Sequence, residues 1–299
     1  MKSDNGLIQA DTIREHYNQI SSAYGLWWGE HMHHGFWDDG ESLAEAQVKL
    51  IERLAAHAQV PHFARVLDVG CGLGGASLWL ARNLDCSVLG ITNSPEQAKI
   101  ARRRAHAAGF DYELRFAVMD ANQLDLPRAS FDVVWVLECS EHLAERAAFI
   151  RNCARVLKPG GVLALSAWLA SSDSATPEHA RLLTDVCQGF LCPPLATMQD
   201  YVGWMEASDF DRVEAEDLTP QVTATWRYFS DYADRWMTKV FLRLSNERTR
   251  RCVEAFSAVR RAYAEGALAY GMFTAVKQAP QWRLPEKIEV HARELAAVF

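Results

Sequence analysis

The chain has 299 residues, 49% of them hydrophobic, and a formal charge of −7 at pH 7. This acidic balance argues against a nucleic-acid-binding surface, which would need an excess of Lys and Arg. No apolar run reaches the roughly 18 residues of a membrane span, and the polar start MKSDNG is not typical of a signal peptide. Seven cysteines without a C-x-x-C pair indicate reduced thiols, so we expect a cytoplasmic protein.

The first part of the chain passes from helical spacing to an alternation of strands and helices. Apolar spacing predicts helices over 9–24 and 41–58, joined by an aromatic and histidine-rich loop from Leu26 to Trp37. From Arg65 onward, short strand-like runs alternate with helical stretches, which is typical of βαβ units in a parallel sheet. The predicted strands are Arg65–Val69, Ser87–Ile91, Leu114–Val118, Phe131–Leu137 and Val162–Trp168. The predicted helices between them are 74–83, 94–108 and 141–157.

After the fifth predicted strand the alternation stops. A variable stretch over 171–193 precedes a predicted helix near 195–207 and a short strand at Arg212–Asp217. Residues 224–268 predict helices, and a last strand fits Gly271–Lys277. We therefore expect a doubly wound α/β fold with a helical insertion before its final strand.

This pattern divides the chain into three expected parts. Residues 1–60 would form an N-terminal helical cap, 61–170 the ligand-binding core, and 171–299 the rest of the sheet with a helical lid. In open α/β sheets ligands bind at the carboxyl ends of the strands, so we expect the cap and the lid to cover that edge. A lid there would exclude water from the chemistry.

A glycine-rich loop follows the first predicted strand, in the order Asp68-Val69-Gly70-Cys71-Gly72-Leu73-Gly74-Gly75. Four glycines in six residues let the backbone approach a ligand closely and direct its N–H groups towards it. A nicotinamide site carries its acidic residue about 20 residues after the glycines. Here that region, Gly90–Ser94, has no carboxylate. The early Asp68 instead favours a ligand with an amino acid end, whose ammonium group Asp68 would face.

Polar residues also follow the second and third predicted strands. Ser94 and Gln97, with Pro95 at the first helical position, form the pattern of a capping box. A cap and a ligand contact are compatible roles for Gln97. Asp120 ends the third strand, where its carboxylate either accepts from an adenine amino group or forms an ordinary turn.

The loop after the fourth predicted strand carries the candidate catalytic residues. His142 stands beside Glu141 and near Glu138, and a carboxylate can fix the tautomer of a histidine that acts as a general base. We take His142 as the first candidate and Glu141 as the second. The alternative is a structural turn in which Ser140 caps a helix and Glu141 lies in its first turn.

Three histidines, His31, His33 and His34, lie in the aromatic loop before the second helix. Their H-x-H-H spacing has no matching Cys, Asp or His pair nearby, so we expect no metal site. An aromatic loop that closes over a cofactor fits these residues better.

Taken together, these motifs resemble the class I S-adenosylmethionine (SAM) methyltransferases that act on small molecules, in the γ-tocopherol methyltransferase-like branch. That branch is similar to cyclopropane fatty acid synthases and to sugar and alkaloid methyltransferases of natural-product pathways. The matching segments lie in about the first 170 residues and keep their order and spacing. They are 28–35, 68–75, 90–95, 138–142 and 157–161.

The resemblance implies a seven-stranded sheet whose last strand is antiparallel, and it assigns contacts to SAM. Met32 and His33 match contacts to the methionine part, and Tyr17 matches a residue that lies over the site. Thr92 and Gln97 match ribose-side contacts, and Asp120 and Ala121 match the adenine side. The remaining candidate cofactor contacts are Asp68, Gly70, Cys71, Gly72, Asn93 and Leu137. Related sugar enzymes have a second His where Glu141 stands, whereas the tocopherol enzymes have a Glu-His pair there.

The expected function is transfer of a methyl group from SAM to a small-molecule acceptor, leaving S-adenosylhomocysteine. The acceptor is an aromatic, isoprenoid or other specialised metabolite, methylated on carbon, oxygen or nitrogen. A SAM-binding fold that catalyses a cyclisation or decarboxylation is the alternative, and a nicotinamide oxidoreductase is disfavoured by Asp68. The sequence leaves open whether the protein is a monomer or a homodimer.

Overall fold

The structure, a computed structural model, describes residues 29–172, 176–233 and 247–279. The strands are β1 (Arg65–Val69), β2 (Ser87–Thr92), β3 (Leu114–Val118), β4 (Phe131–Leu137), β5 (Leu157–Ala170), β6 (Phe210–Asp217) and β7 (Leu268–Lys277). The helices are α1 (Leu43–His57), α2 (Gly75–Leu84), α3 (Pro95–Ala108), α4 (Arg146–Val156), α5 (Pro177–Phe190), α6 (Met198–Glu206), α7 (Thr219–Val222), α8 (Ala224–Ala233) and α9 (Glu247–Ala264).

The seven strands form one sheet in the order β3-β2-β1-β4-β5-β7-β6. Strands β1 to β5 are parallel, and β7 runs antiparallel to both of its neighbours. The predicted doubly wound fold, with seven strands and an antiparallel last strand, is therefore confirmed. The chain moves outward from β1 to β3 and then returns across β1 to β4. The strand order thus reverses between β1 and β4, and this is the point where ligands bind in such sheets.

The central strands β1 and β4 are mostly apolar and buried because helices cover both faces of the sheet. Val66 and Trp135 pack into a core on one face, shared with α1, α2, α3, α5, α8 and α9. Leu67 and Val134 point to the other face, where α4 and α6 complete a second core. Strands buried on both faces read as continuous hydrophobic runs, which is why the sequence signal for them is strong.

The predicted helix over 141–157 is wrong in its first part. Ser140–His142 form a single 3-10 turn, and α4 begins only at Arg146. The buried guanidinium of Arg146 donates to the backbone carbonyls of Ser140 (3.1 Å) and Glu141 (2.7 Å). Because Arg146 satisfies these two carbonyl groups, they need no helical hydrogen bonds, and the 3-10 turn stays separate from α4.

Other predicted boundaries also shift. Strand β5 begins at Leu157, earlier than predicted, and continues through the Pro-Gly-Gly segment with a register irregularity against β4. Helices α8 and α9 lie within the predicted helical stretch 224–268, and the predicted helix over 9–24 lies outside the described residues. None of the described helices combines the length and apolar character that a bilayer crossing requires.

Candidate active site

The loop between β1 and α2 has three glycines in the left-handed region, with φ of 76° at Gly70, 51° at Gly72 and 81° at Gly74. A Cβ on Gly70 would lie 2.4 Å from Cys139 Sγ, so this loop packs directly against the end of β4. A Cβ on Gly72 would meet no atom within 4 Å. The loop therefore offers bare backbone to an open space, as the sequence predicts.

Asp68 is a buried carboxyl group at the end of β1, with 2% of its surface exposed. The Ser77 hydroxyl donates to its Oδ2 at 2.5 Å. Burial raises the pKa of Asp68 to about 7, because it outweighs this hydrogen bond and no neighbouring cation in the described structure opposes it. A cationic ligand group beside Asp68 would supply the missing partner.

In the turn after β2, the backbone of Gln97 makes the predicted contact, but its side chain has a different partner. Ser94 Oγ accepts from the Gln97 backbone N–H at 3.2 Å, which is the expected cap. The other half of the predicted capping box is wrong, because the Gln97 side chain accepts from the Thr92 hydroxyl at 2.7 Å. Thr92 Oγ1 itself accepts from the Ser94 N–H at 3.2 Å, so the Gln97 amide is not needed there. Thr92 and Gln97 form one polar pair at the end of the strand.

Asp120, which follows β3, forms the turn that was one of its two predicted roles. Its Oδ1 accepts from the backbone N–H and the side-chain amide of Asn122, each at 2.9 Å. The side chain is therefore a turn residue, and it also lines the cavity described below.

The two candidate catalytic residues after β4 have different surroundings. His142 lines the cavity, and the Cys192 thiol lies 3.4 Å from its Nδ1. Burial lowers the pKa of His142 to about 4, so the ring is uncharged at neutral pH. Glu141 is 2% exposed and is not part of the cavity wall. Burial, together with the charge of Glu138, raises the pKa of Glu141 to about 8 and keeps it protonated.

Glu138 is more central than its sequence suggests. Its Oε1 accepts from the His34 backbone N–H and the Tyr270 hydroxyl, each at 2.8 Å. Its Oε2 accepts from His34 Nδ1–H at 3.0 Å and from Trp168 Nε1–H at 2.8 Å. On the other side of the ring, Trp226 Nε1–H donates to His34 Nε2 at 2.5 Å, which fixes the His34 proton on Nδ1. Sequence reasoning missed His34, because its partners come from distant parts of the chain.

The histidine loop is fixed against the core through its backbone. Gln47 Nε2 donates to the carbonyls of His31 (2.7 Å) and His33 (3.0 Å), and His33 Nδ1–H donates to the His34 carbonyl at 2.7 Å. These bonds hold Met32 and His33 at the cavity wall. In the part of the chain that the structure describes, no group of three or more His, Cys, Asp or Glu side chains could hold a metal ion.

A cavity of about 1170 Å³, counted with its open mouth, runs along the carboxyl ends of the parallel strands. It brings together nearly all of the predicted cofactor contacts and the first catalytic candidate. Those in its wall are Met32, His33, Asp68, Gly70, Cys71, Gly72, Thr92, Asn93, Gln97, Asp120, Ala121, Leu137 and His142. Tyr17 lies outside the described residues. The wall also contains residues that were not predicted as contacts, among them His31, Leu73, Glu138 and Leu143.

The polar groups of the cavity wall are distributed in a way that suits SAM. Bare backbone at Gly72 faces open space, and the buried carboxyl group of Asp68 lacks a cation. The polar groups of Thr92, Gln97 and Asp120 continue along the same wall. A long ligand with an ammonium group at one end and many hydrogen-bonding groups at the other suits this distribution.

Comparison with known proteins shows that the chain is similar to methyltransferases. Residues 67–165 match the family described as Methyltransferase domain. The chloroplastic tocopherol O-methyltransferase of Arabidopsis thaliana is 31% identical over 286 residues, covering 89% of this chain and 81% of that protein.

Two solved structures share the fold. Geranyl diphosphate C-methyltransferase from Streptomyces coelicolor A3(2), in complex with Mg2+, geranyl diphosphate and S-adenosyl-L-homocysteine, gives a TM-score of 0.73 at 19% identity, covering 90% of this chain and 97% of that one. The [4+2]-cyclase SpnF also gives a TM-score of 0.73, at 22% identity, covering 91% of this chain and 97% of that one. At such identities the likeness concerns the fold alone.

Proposed function

Because the chain belongs to the SAM-dependent methyltransferases that act on small molecules, we propose how its cavity is divided between cofactor and acceptor. SAM supplies an electrophilic methyl group on a positively charged sulfur, so the protein has to position the partners and exclude water. The observation that carries the proposal is the cavity with Asp120 at one strand end and His142 at another.

The cofactor part of the cavity follows the strand order β3-β2-β1. Asp120 and Ala121 would contact the adenine, and Thr92, Asn93 and Gln97 would contact the ribose. Asp68 would pair with the ammonium group, while Met32 and His33 would contact the rest of the methionine part. The backbone of the glycine loop and Leu137 would complete this surface. Each of these residues lies in the cavity wall, which supports the assignment.

The acceptor would meet the methyl group beside β4, where His142 lies. An uncharged imidazole can take the proton of a hydroxyl or ammonium group as the new bond forms. Its lowered pKa makes it a weak base, so most of the rate enhancement would come from alignment. Glu141, buried behind the wall and protonated, would not exchange a proton with the acceptor directly.

The acceptor is proposed to be an aromatic or isoprenoid metabolite. The named relative that is 31% identical is a tocopherol O-methyltransferase, which supports this class. An aromatic cluster next to Glu138 also supports it: Trp168 and Trp226 pack edge-on with ring centroids 5.4 Å apart, and Phe190 contacts both. Residues 1–60 are proposed as the cap, 61–170 as the cofactor core and 171–299 as the remainder with the acceptor lid. A cytoplasmic location and a monomeric or homodimeric state stay predictions.

The test combines calorimetry with a methyl-transfer assay. We expect SAM and S-adenosylhomocysteine to bind at micromolar concentration and NADH not to bind. Labelled SAM should then transfer its methyl group to a phenolic or prenyl acceptor found by screening. Tight binding of SAM with unchanged SAM recovered after every turnover of a cyclised or decarboxylated substrate would favour the alternative function. Binding of NADH in place of SAM would overturn the site assignment.

The role of His142 is tested by His142→Gln. We expect kcat to fall at least about 100-fold, the usual contribution of a general base, while the Kd for SAM changes less than about threefold. His106→Gln is the matched control, because His106 pairs with Asp111 on the exposed side of α3, away from the cavity. Full activity of His142→Gln with a hydroxyl acceptor would contradict the proposed base.

A further inference from the structure

The carboxylate of Glu138 has every hydrogen-bonding position occupied. Two donors bind Oε1 and two bind Oε2, at distances of 2.8 to 3.0 Å, and they come from the histidine loop, β5 and β7. An ionised carboxylate offers about four such positions. A proton on either oxygen would displace one of these donors.

This arrangement makes Glu138 a lasting negative charge rather than a proton acceptor. Burial by itself would raise its pKa, but the interactions with His34 and Trp168 hold the pKa well below its ordinary range. The backbone at Glu138 is left-handed, with φ of 52°, and its N–H donates to the Ser166 carbonyl at 3.1 Å. Because the strained backbone and the four hydrogen bonds hold Glu138 in place, its carboxylate has a fixed orientation.

Glu138 nevertheless lines the same cavity as the cofactor contacts. With the ribose over β2 and the ammonium beside Asp68 on β1, the sulfur lies between them, and β4 is the next strand beside β1. Glu138 is the first residue after β4. Its side chain has 6% of its surface exposed, and no Lys or Arg in the described residues forms an ion pair with it.

We propose that Glu138 is a fixed anion for the sulfonium of SAM, and that His34 is its positioning residue. The inference rests on the proposed placement of the cofactor. SAM carries a positive charge at sulfur, whereas S-adenosylhomocysteine has a neutral thioether there. A fixed anion attracts the first and not the second, so Glu138 favours binding of the methyl donor and release of the product.

The experiment is a calorimetric comparison of three ligands with the wild-type protein and with Glu138→Gln. SAM and sinefungin carry a positive charge at or near the sulfur position, and S-adenosylhomocysteine does not. Loss of the anion should raise the Kd for SAM and for sinefungin on the order of tenfold. The Kd for S-adenosylhomocysteine should rise less than about threefold. Asp120→Asn is the matched control, because a change on the adenine side should weaken all three ligands by the same factor.

Equal weakening of all three ligands in Glu138→Gln would overturn the inference while leaving the proposed function intact. A wild-type protein that binds none of them would instead overturn the proposed function. Circular dichroism shows whether Glu138→Gln folds. If it does not, the wild-type protein decides: sinefungin should bind at least about tenfold tighter than S-adenosylhomocysteine, and equal affinities would contradict the fixed anion.

His34→Gln tests the positioning role. This variant keeps the backbone N–H that bonds Glu138 but loses the ring donor. We expect the preference for SAM over S-adenosylhomocysteine to fall as the pH is lowered from 7 to 5, because the less supported carboxylate takes up a proton more readily. The wild-type preference should stay constant over this range. A constant preference in the variant would leave His34 with a structural role only.

Discussion

Asp68 is a buried carboxyl group whose burial is unfavourable for folding and for which we propose a role in binding. Its carboxyl group is removed from water at the end of β1, with the Ser77 hydroxyl as its hydrogen-bond donor. In the ligand-free protein burial raises the pKa to about 7, so protonated and ionised forms are both present near neutral pH. Only the ionised form can pair with an ammonium group.

The affinity for SAM should therefore depend on pH through Asp68. Below about pH 7 a proton must leave Asp68 before the ammonium group can pair with it. The Kd should therefore rise about tenfold for each unit by which the pH is lowered. Above this pH the Kd should level off. Calorimetry at pH 6 and pH 8 measures the effect. Asp68→Asn should bind weakly at both pH values, and a pH-dependent Kd in that variant would assign the effect to another group.

At the scale of single elements, the start of α3 has a capping residue and, three positions later, a residue for which we propose a binding role. Ser94 caps the helix, whereas the Gln97 side chain pairs with Thr92 and faces the cavity. The two residues would look like one reciprocal motif in the sequence alone. They are distinguished only by where the Gln97 amide points.

Two alanine variants should show this separation. Ser94→Ala should lower the free energy of unfolding by about 1 kcal/mol, the usual value of an N-cap, with little change in the Kd for SAM. Gln97→Ala should raise the Kd about fivefold or more through the loss of a polar contact, while stability changes less than in Ser94→Ala. Urea denaturation and calorimetry measure the two quantities. The reverse pattern would restore the capping box as the main role of Gln97.

The strands, and most of the residues that line the cavity, could be predicted because their signals are local. The buried strand, Asp68 and the glycines lie within about ten consecutive residues, so the sequence pattern alone predicts a ligand-binding loop. The turn after β2 is predicted almost as well from its own residues. The 3-10 turn at Ser140–His142 could not be predicted, since it depends on Arg146 reaching back to two carbonyl groups. Glu138 and His34 are 104 residues apart in the sequence, so no local pattern predicts the hydrogen bonds between them.

At the scale of the whole molecule, the stability of the ligand-free protein should decline as the pH rises from about 4.5 to about 8. The pKa of Glu141 is raised from 4.5 to about 8 in the folded state, first by burial and then by the charge of Glu138. Unfolding then releases a proton at any pH between these values. The stabilising contribution is full below about pH 4.5 and is lost as the pH rises to about 8, by at most about 1.4 kcal/mol per pH unit.

Urea denaturation at pH 5, 6.5 and 8 measures this decline. Glu141→Gln cannot ionise, so its stability should fall less steeply over the same range. The contribution of Asp68, whose pKa is also raised, should remain in the variant. Parallel pH profiles for the wild type and Glu141→Gln would show that Glu141 is ionised or solvated in the folded protein.

The outer strand β6 ends the sheet with a row of charged side chains. Glu214 and Glu216 lie on it, and the strand is mostly exposed. Arg53 of α1 pairs with Glu216 at 2.6 Å, and the register with β7 is irregular between Asp211 and Glu214. A foreign strand that extended the sheet here would have to bury these charges against a distorted edge. This border therefore protects a long apolar sheet from aggregating with other copies at high protein concentration.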